Sequence, residues 1–292
     1  MPTSTLPRRE FLAATAAAIV LPQFLQAAEE SKRKFKLGLV TYNVPATWDL
    51  PTILKTCQTV GIAAVECRTT HKHGVEPKLN AEQRKTVKKQ FADAGVVFWG
   101  SGSVCEFHSD DLAVVKKNIA ECKEFIALVK DIGGTGVKVR PNGVANGITP
   151  EKACEQIGKA LQECGKAAAD AAVEIWVEVH GAVTQLPKNM KAIMEVCGHK
   201  SVGLTWNSNP TDLIEGKIDE AFKMLEPWIK SCHINDLGND KTGKYPYREL
   251  FSKLRGMKYD RYTMCEVGKS YEPETGLEFL KDYAKTWEEL SR

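Results

Sequence analysis

"VGLTWNSNPTD", residues 202–212, alternates apolar Val202, Leu204 and Trp206 with Gly203 and Thr205, then turns polar at Asn207. Such a segment reads as a short buried strand that ends at a mouth, where Asn207 emerges as a metal ligand, a substrate clamp or the cap of the next helix. The stretch has seven counterparts. "KLGLVTYN" (36–43), "AAVECR" (63–68), "GVVFWGSG" (95–102), "GVKVRPN" (136–142) and "VEIWVEVHG" (173–181) precede it. "WIKSCHIND" (228–236) and "DRYTMCEVG" (260–268) follow it.

Helical patterns fill the gaps between these strands. Asp49 stands where an N-cap belongs, with Pro51 in the first turn. Leu50, Ile53, Leu54, Cys57 and Val60 share one face, and Gly61 stops the helix. Residues 110–132 place Val115, Ile119, Cys122, Ile126 and Val129 at helical spacing, and Thr149-Pro150 opens the following helix. A last helix, from about residue 274 to 291, presents Leu277, Leu280, Tyr283, Trp287 and Leu290. Strict alternation of strands and helices supplies the crossovers that parallel strands need. The expected fold is therefore α/β: a single-domain (β/α)8 TIM barrel spanning residues 28–292. An open doubly wound sheet would carry a Gly-rich turn after its first strand, and "TYNVPATWD" has none.

The composition is that of an ordinary globular chain, with 43% hydrophobic and 26% charged residues. A net charge of +3 with no aromatic-interleaved basic run argues against a nucleic-acid partner. The segment "PRREFLAATAAAIVLPQFLQA" pairs Arg8 and Arg9 with a weakly apolar stretch and a small-residue cleavage pattern. Residues 1–27 thus read as a twin-arginine export signal, which predicts a periplasmic or extracellular location. Its apolar run is too short and Ala-rich for stable membrane insertion. The nine cysteines include no CxxC pair and lie mostly on apolar faces, so they read as buried thiols. The oligomeric state is open, a homo-oligomer included.

In a barrel of this kind, chemistry sits at the C-terminal strand ends. Four consecutive strands end there in Glu178, Asn207, His233 and Glu266. Side chains alternate along a strand, and in each of these strands the polar candidate takes the lumen parity while Val177, Val179, Cys232 and Cys265 take the other. Carboxylates with one imidazole suit a divalent Mn, Mg, Co or Zn ion. Such an ion could hold two adjacent sugar oxygens and stabilise an enediolate, while Glu178 and Glu266 exchange a proton with the substrate. His180 and Arg140 are candidate substrate contacts, as is Asp236, which reads more as an orienting residue. Glu106 and His108 read as a solvated loop, and His71 and His73 as loop residues without a third ligand.

"EIWVEVHG", "VGLTWN", "SCHINDL" and "YTMCEVG", with "GIAAVECR" at the second strand, resemble the sugar phosphate isomerase/epimerase family of xylose-isomerase-like barrels. That family includes ketose 3-epimerases and hydroxypyruvate isomerases. The resemblance implies metal ligands at Glu178, Asn207, His233 and Glu266, with Glu178 and Glu266 as the acid/base pair. The chain departs from the pattern at three places: Asn207 replaces the usual Asp, Pro210 a frequent His, and Thr184 a carboxylate. The expected activity is metal-dependent isomerisation or epimerisation of a carbohydrate. The alternatives are lyase or hydrolase action on a 3-keto-glycoside at the same site, or a silent carbohydrate-binding barrel.

Overall fold

The computed structural model describes residues 33–292, so the export segment lies outside the described residues. Eight parallel strands close into one barrel in sequence order, with β8 pairing back onto β1. They are β1 (Lys36–Val40), β2 (Ala64–Arg68), β3 (Val97–Glu106), β4 (Gly136–Arg140), β5 (Glu174–Glu178), β6 (Val202–Asn207), β7 (Ile229–Ile234) and β8 (Tyr262–Cys265). The helices are α1 (Leu50–Val60), α2 (Ala81–Ala94), α3 (Leu112–Ile132), α4 (Pro150–Ala171), α5 (Pro187–Cys197), α6 (Asp219–Leu225), α7 (Gly238–Lys241), α8 (Tyr247–Gly256) and α9 (Pro273–Ser291). The expected (β/α)8 barrel is thus the fold. One short helix, α7, is added after β7.

Local sequence sets the helix ends. Asp49 accepts the Thr52 amide at 2.9 Å, and Gly61 closes α1 with φ of 85°. A left-handed residue at that position satisfies the last carbonyls of the helix at no steric cost to glycine.

Alternation along the strands divides the apolar residues into two cores. Val177, Val179, Leu204, Trp206, Cys232 and Cys265 pack outward against the helices. A smaller cluster of Val40, Ala64, Trp99, Trp176 and Met264 fills the lumen floor. The Trp99 and Trp176 rings stack there with centroids 4.7 Å apart. Two glycines make room for these bulky groups. A Cβ at Gly136 would come within 2.4 Å of the Trp176 ring, and one at Gly38 within 2.3 Å of the Met264 sulfur. Small residues opposite large ones fill a barrel of this diameter. The polar lumen residues lie above this floor, toward the C-terminal mouth.

All nine cysteines are free and buried, as their sequence settings suggested. No described helix is long and apolar enough to cross a membrane.

Candidate active site

Directly above the aromatic floor, six strands contribute polar side chains to one buried cluster. Glu178 Oε1 and Glu266 Oε2 lie 3.8 and 2.9 Å from His233 Nδ1. These three residues offer ligand atoms within 4.8 Å of one another. Asn207 completes the arrangement from β6, its amide nitrogen donating to Glu178 Oε1 at 3.3 Å. The structure therefore brings together all four residues expected to form the metal site. Glu266 stands one residue beyond β8, yet its amide still donates to Ile234 O at 2.9 Å, so the strand geometry carries on to it.

Two residues that sequence reasoning missed complete the cluster. Glu66, on β2 and fully buried, approaches His233 Nε2 at 3.2 Å across the lumen. That contact fixes a proton on Nε2 and turns Nδ1 toward Glu178 and Glu266. Lys138, on β4 and 2% exposed, donates to Glu178 Oε2 at 2.7 Å. Both were open to the parity argument. Val65 and Cys67 flank Glu66, Val137 and Val139 flank Lys138, and all four flanking residues belong to the outer core.

The electrostatics follow from this packing. Burial alone would raise the Glu178 carboxyl, but Lys138 and then His233 outweigh it and hold the group well below the usual carboxylate range. Burial alone would lower the His233 imidazole. The charges of Glu266 and Glu66 reverse that and hold it well above the ordinary histidine value. The acidic ring thus calls for a cation at its centre, and a protonated His233 supplies one. A divalent ion fits the same demand. Asn207 Oδ1 is buried without a hydrogen-bond partner and His233 Nδ1 faces Glu178 and Glu266, and once unprotonated both are donor atoms suited to such an ion.

Pro210–Asp212 form a 3-10 turn in which the Asn209 amide donates to Asp212 Oδ2 at 2.9 Å. The Asn209 side chain donates to Val179 O at 2.6 Å. The turn is closed by Asn209 and Asp212, which leaves Asn207 to face the lumen. As a neutral donor it supplies less attraction to a hard cation than Asp would. Asn207→Asp is expected to tighten binding of Mn²⁺ roughly tenfold by calorimetry; unchanged affinity would remove Asn207 from the ligand set.

The cluster opens into a cleft of about 260 Å³ lined by Tyr42, Asn43, Arg68, Lys138, Arg140, Glu178, His180, Asn207, Asn235, Glu266 and Gly268. His180 and Arg140 lie on this cleft. Asp236 does not: it is exposed, and its carboxylate accepts the Gly238 amide at 2.9 Å, while Asn235 takes the place on the cleft wall. The chain leaves β7 after Ile234, so the strand alternation that would carry Asp236 to the mouth ends first. Glu106 is also more than a solvated loop residue. It ends β3 and accepts from Arg140 at 2.6 Å and Asn142 at 2.7 Å. His73 is a buried loop brace, bonded to Arg68 O at 2.9 Å and Thr41 Oγ1 at 3.1 Å. Thr184 spans the turn after β5 by donating to His180 O at 2.8 Å.

Within the Pro210–Asp212 turn Asp212 is buried, with Oδ2 also accepting from the Tyr245 hydroxyl at 2.8 Å and Oδ1 without a partner. Burial pushes its carboxyl up to about 7. The folded state therefore binds a proton that the unfolded chain releases near pH 4, so stability falls as pH rises through this window. The loss is of order 4 kcal/mol between about pH 4 and 7. Thermal melts across that range are expected to show a declining Tm, and Asp212→Asn should flatten the decline.

Comparison with known proteins agrees with this architecture. Residues 54–283 match the family model described as xylose isomerase-like TIM barrel, and the chain belongs to that family. No curated protein sequence matches the chain. Among solved structures, D-psicose 3-epimerase from Clostridium cellulolyticum H10, crystallised with D-tagatose, superposes with a TM-score of 0.73 at 14% identity. That match covers 88% of this chain and all (100%) of the epimerase. The 3-keto-D-glucoside 4-epimerase of E. coli gives a TM-score of 0.70 at 14% identity, covering 87% of this chain and 100% of the other. The IolI protein with a bound zinc atom gives 0.67 at 18% identity, covering 88% and 96%. At these identities the likeness is one of fold.

Proposed function

We propose that the protein is a metal-dependent carbohydrate isomerase or epimerase that moves a proton at a carbon next to a carbonyl. The observation that carries this reading is the convergence of two carboxylates, Glu178 and Glu266, on one buried imidazole at the barrel mouth. They come from β5 and from the end of β8, so they flank the cleft between them. One can remove a proton from a bound sugar and the other can return one. Lys138 keeps Glu178 ionised, and Glu66 holds the His233 ring in orientation. Glu178, Asn207, His233 and Glu266 would hold the divalent ion, which when bound polarises the substrate carbonyl. His180 and Arg140 would contact the substrate from the cleft wall.

The names of the structurally similar epimerases support this class of chemistry. The twin-arginine segment supports export, and an exported enzyme would meet free sugars or keto-sugar glycosides. Elimination or hydrolysis of a 3-keto-glycoside is the second reading. It uses the same acidified carbon, and one similar structure is named for a 3-keto-glucoside. The test combines metal analysis of the folded protein with deuterium uptake from solvent into ketoses and keto-glycosides. About one divalent ion per chain and exchange at the carbon beside the carbonyl are expected. Metal bound with no C–H exchange would leave only a carbohydrate-binding barrel.

A further inference from the structure

Three basic side chains stand on the cleft beside its carboxylates. Arg68, Lys138 and Arg140 all line it. Lys138 is matched by Glu178 at 2.7 Å and Arg140 by Glu106 at 2.6 Å. Arg68 has no carboxylate within ion-pair reach among the described residues. Its guanidinium donates to the backbone of Thr69 at 3.1 Å and lies over the Tyr42 ring at 5.5 Å. Glu178 and Glu66 attract this guanidinium from a distance, but no carboxylate is bonded to it, and a half-buried guanidinium has more donors than one carbonyl can use. Burial, followed by the nearby positive charge of Arg140, pushes the Arg68 guanidinium down. The two arginines therefore repel each other across a shared space. Arg140 adds a buried Nε without a partner, and His180 a buried Nδ1.

Two guanidiniums turned to one cleft, with donor capacity left over, make a receptor for an anionic group. Planar guanidinium forks match carboxylate and phosphate oxygens. We infer that the substrate is an acidic carbohydrate whose carboxylate or phosphate is held between Arg68 and Arg140, above the Glu178–His233–Glu266 cluster. The inference rests on the isomerase reading of that cluster and names its substrate class. Glu106 acts here as a positioning residue, since it holds Arg140 in place through one oxygen that it also shares with Asn142.

Calorimetry on the full protein, with and without Mn²⁺, tests this using three ligands: D-glucuronate, D-glucose 6-phosphate and D-glucose. At least one anion is expected to bind ten or more times tighter than glucose. Preference for glucuronate assigns a carboxylate, and preference for the phosphate ester assigns a phosphate. Arg68→Gln should erase the advantage, and Arg68→Lys should keep part of it, with unchanged Tm in both. Should either variant fail to fold, the wild-type protein decides the matter: the affinity for the preferred anion must fall as salt is raised from 20 to 300 mM on the order expected for screened charges. Equal affinity for glucose, no binding of either anion, or an affinity insensitive to salt would overturn the inference. Binding needs no turnover, so an anion bound without C–H exchange would count against the isomerase reading alone.

Discussion

Glu178→Gln is expected to reduce solvent deuterium exchange into substrate by about 10²–10⁴-fold, the range typical of removing a positioned general acid or base. The amide keeps the shape and one oxygen donor but accepts no proton. The site around it also responds: Lys138, at 2.7 Å from the lost charge, is left without its counter-ion, and His233 loses one of its carboxylate neighbours. Glu266→Gln, measured beside it, separates the two faces of the substrate. If the carboxylates act on opposite faces, each variant should retain exchange at most from one side. Mass spectrometry of recovered sugar reads the exchange directly, and a Glu178→Gln protein within tenfold of wild type would exclude Glu178 as the base.

The second large effect concerns stability. Lys138→Ala is expected to destabilise the protein by about 3–5 kcal/mol, the penalty of leaving a buried charge unpaired. The Lys138 and Glu178 side chains are 3% and 5% exposed, so water does little to compensate for the missing ammonium. Replacing both partners with apolar residues, as in Lys138→Met with Glu178→Leu, should recover most of the loss, because an ion pair in this setting offsets little more than its own desolvation. Denaturant melts of metal-free protein measure both variants. Lys138→Ala also removes the main group that opposes burial at Glu178. The Glu178 carboxyl should then rise, and the acid limb of any exchange profile should move to higher pH. A loss below about 1 kcal/mol would place the pair in the class of solvent-screened contacts.

The barrel was legible in the sequence because each strand–helix unit carries its own signals: Asp49 and Gly61 around α1, Thr149-Pro150 at the start of α4, and alternation in every strand. The same alternation located Glu178, Asn207, His233 and Glu266 on one rim. "VEC" and "VKV" carry the same signature around Glu66 and Lys138, on strands whose polar residue lies mid-strand and not at the end. Other features had no local signal. Asp236 depends on where β7 ends, which the closing hydrogen bonds decide. The release of Asn207 from capping depends on a turn formed two residues later by Asn209 and Asp212. The pairing of Arg140 with Glu106 joins residues 34 apart, a contact that the parallel pairing of β3 with β4 creates.

The nine buried thiols have a consequence for how the molecule fails. In the native state burial raises Cys57, Cys67, Cys232 and Cys265, which keeps them protonated and poor nucleophiles. Global unfolding would expose all nine at once, each free to cross-link with any other in an oxidising medium. Return to the barrel would then compete with a tangle of wrong pairings. Outside a reducing environment, the lifetime of this protein is therefore governed by how rarely it opens, a rate, rather than by the equilibrium between folded and unfolded chains.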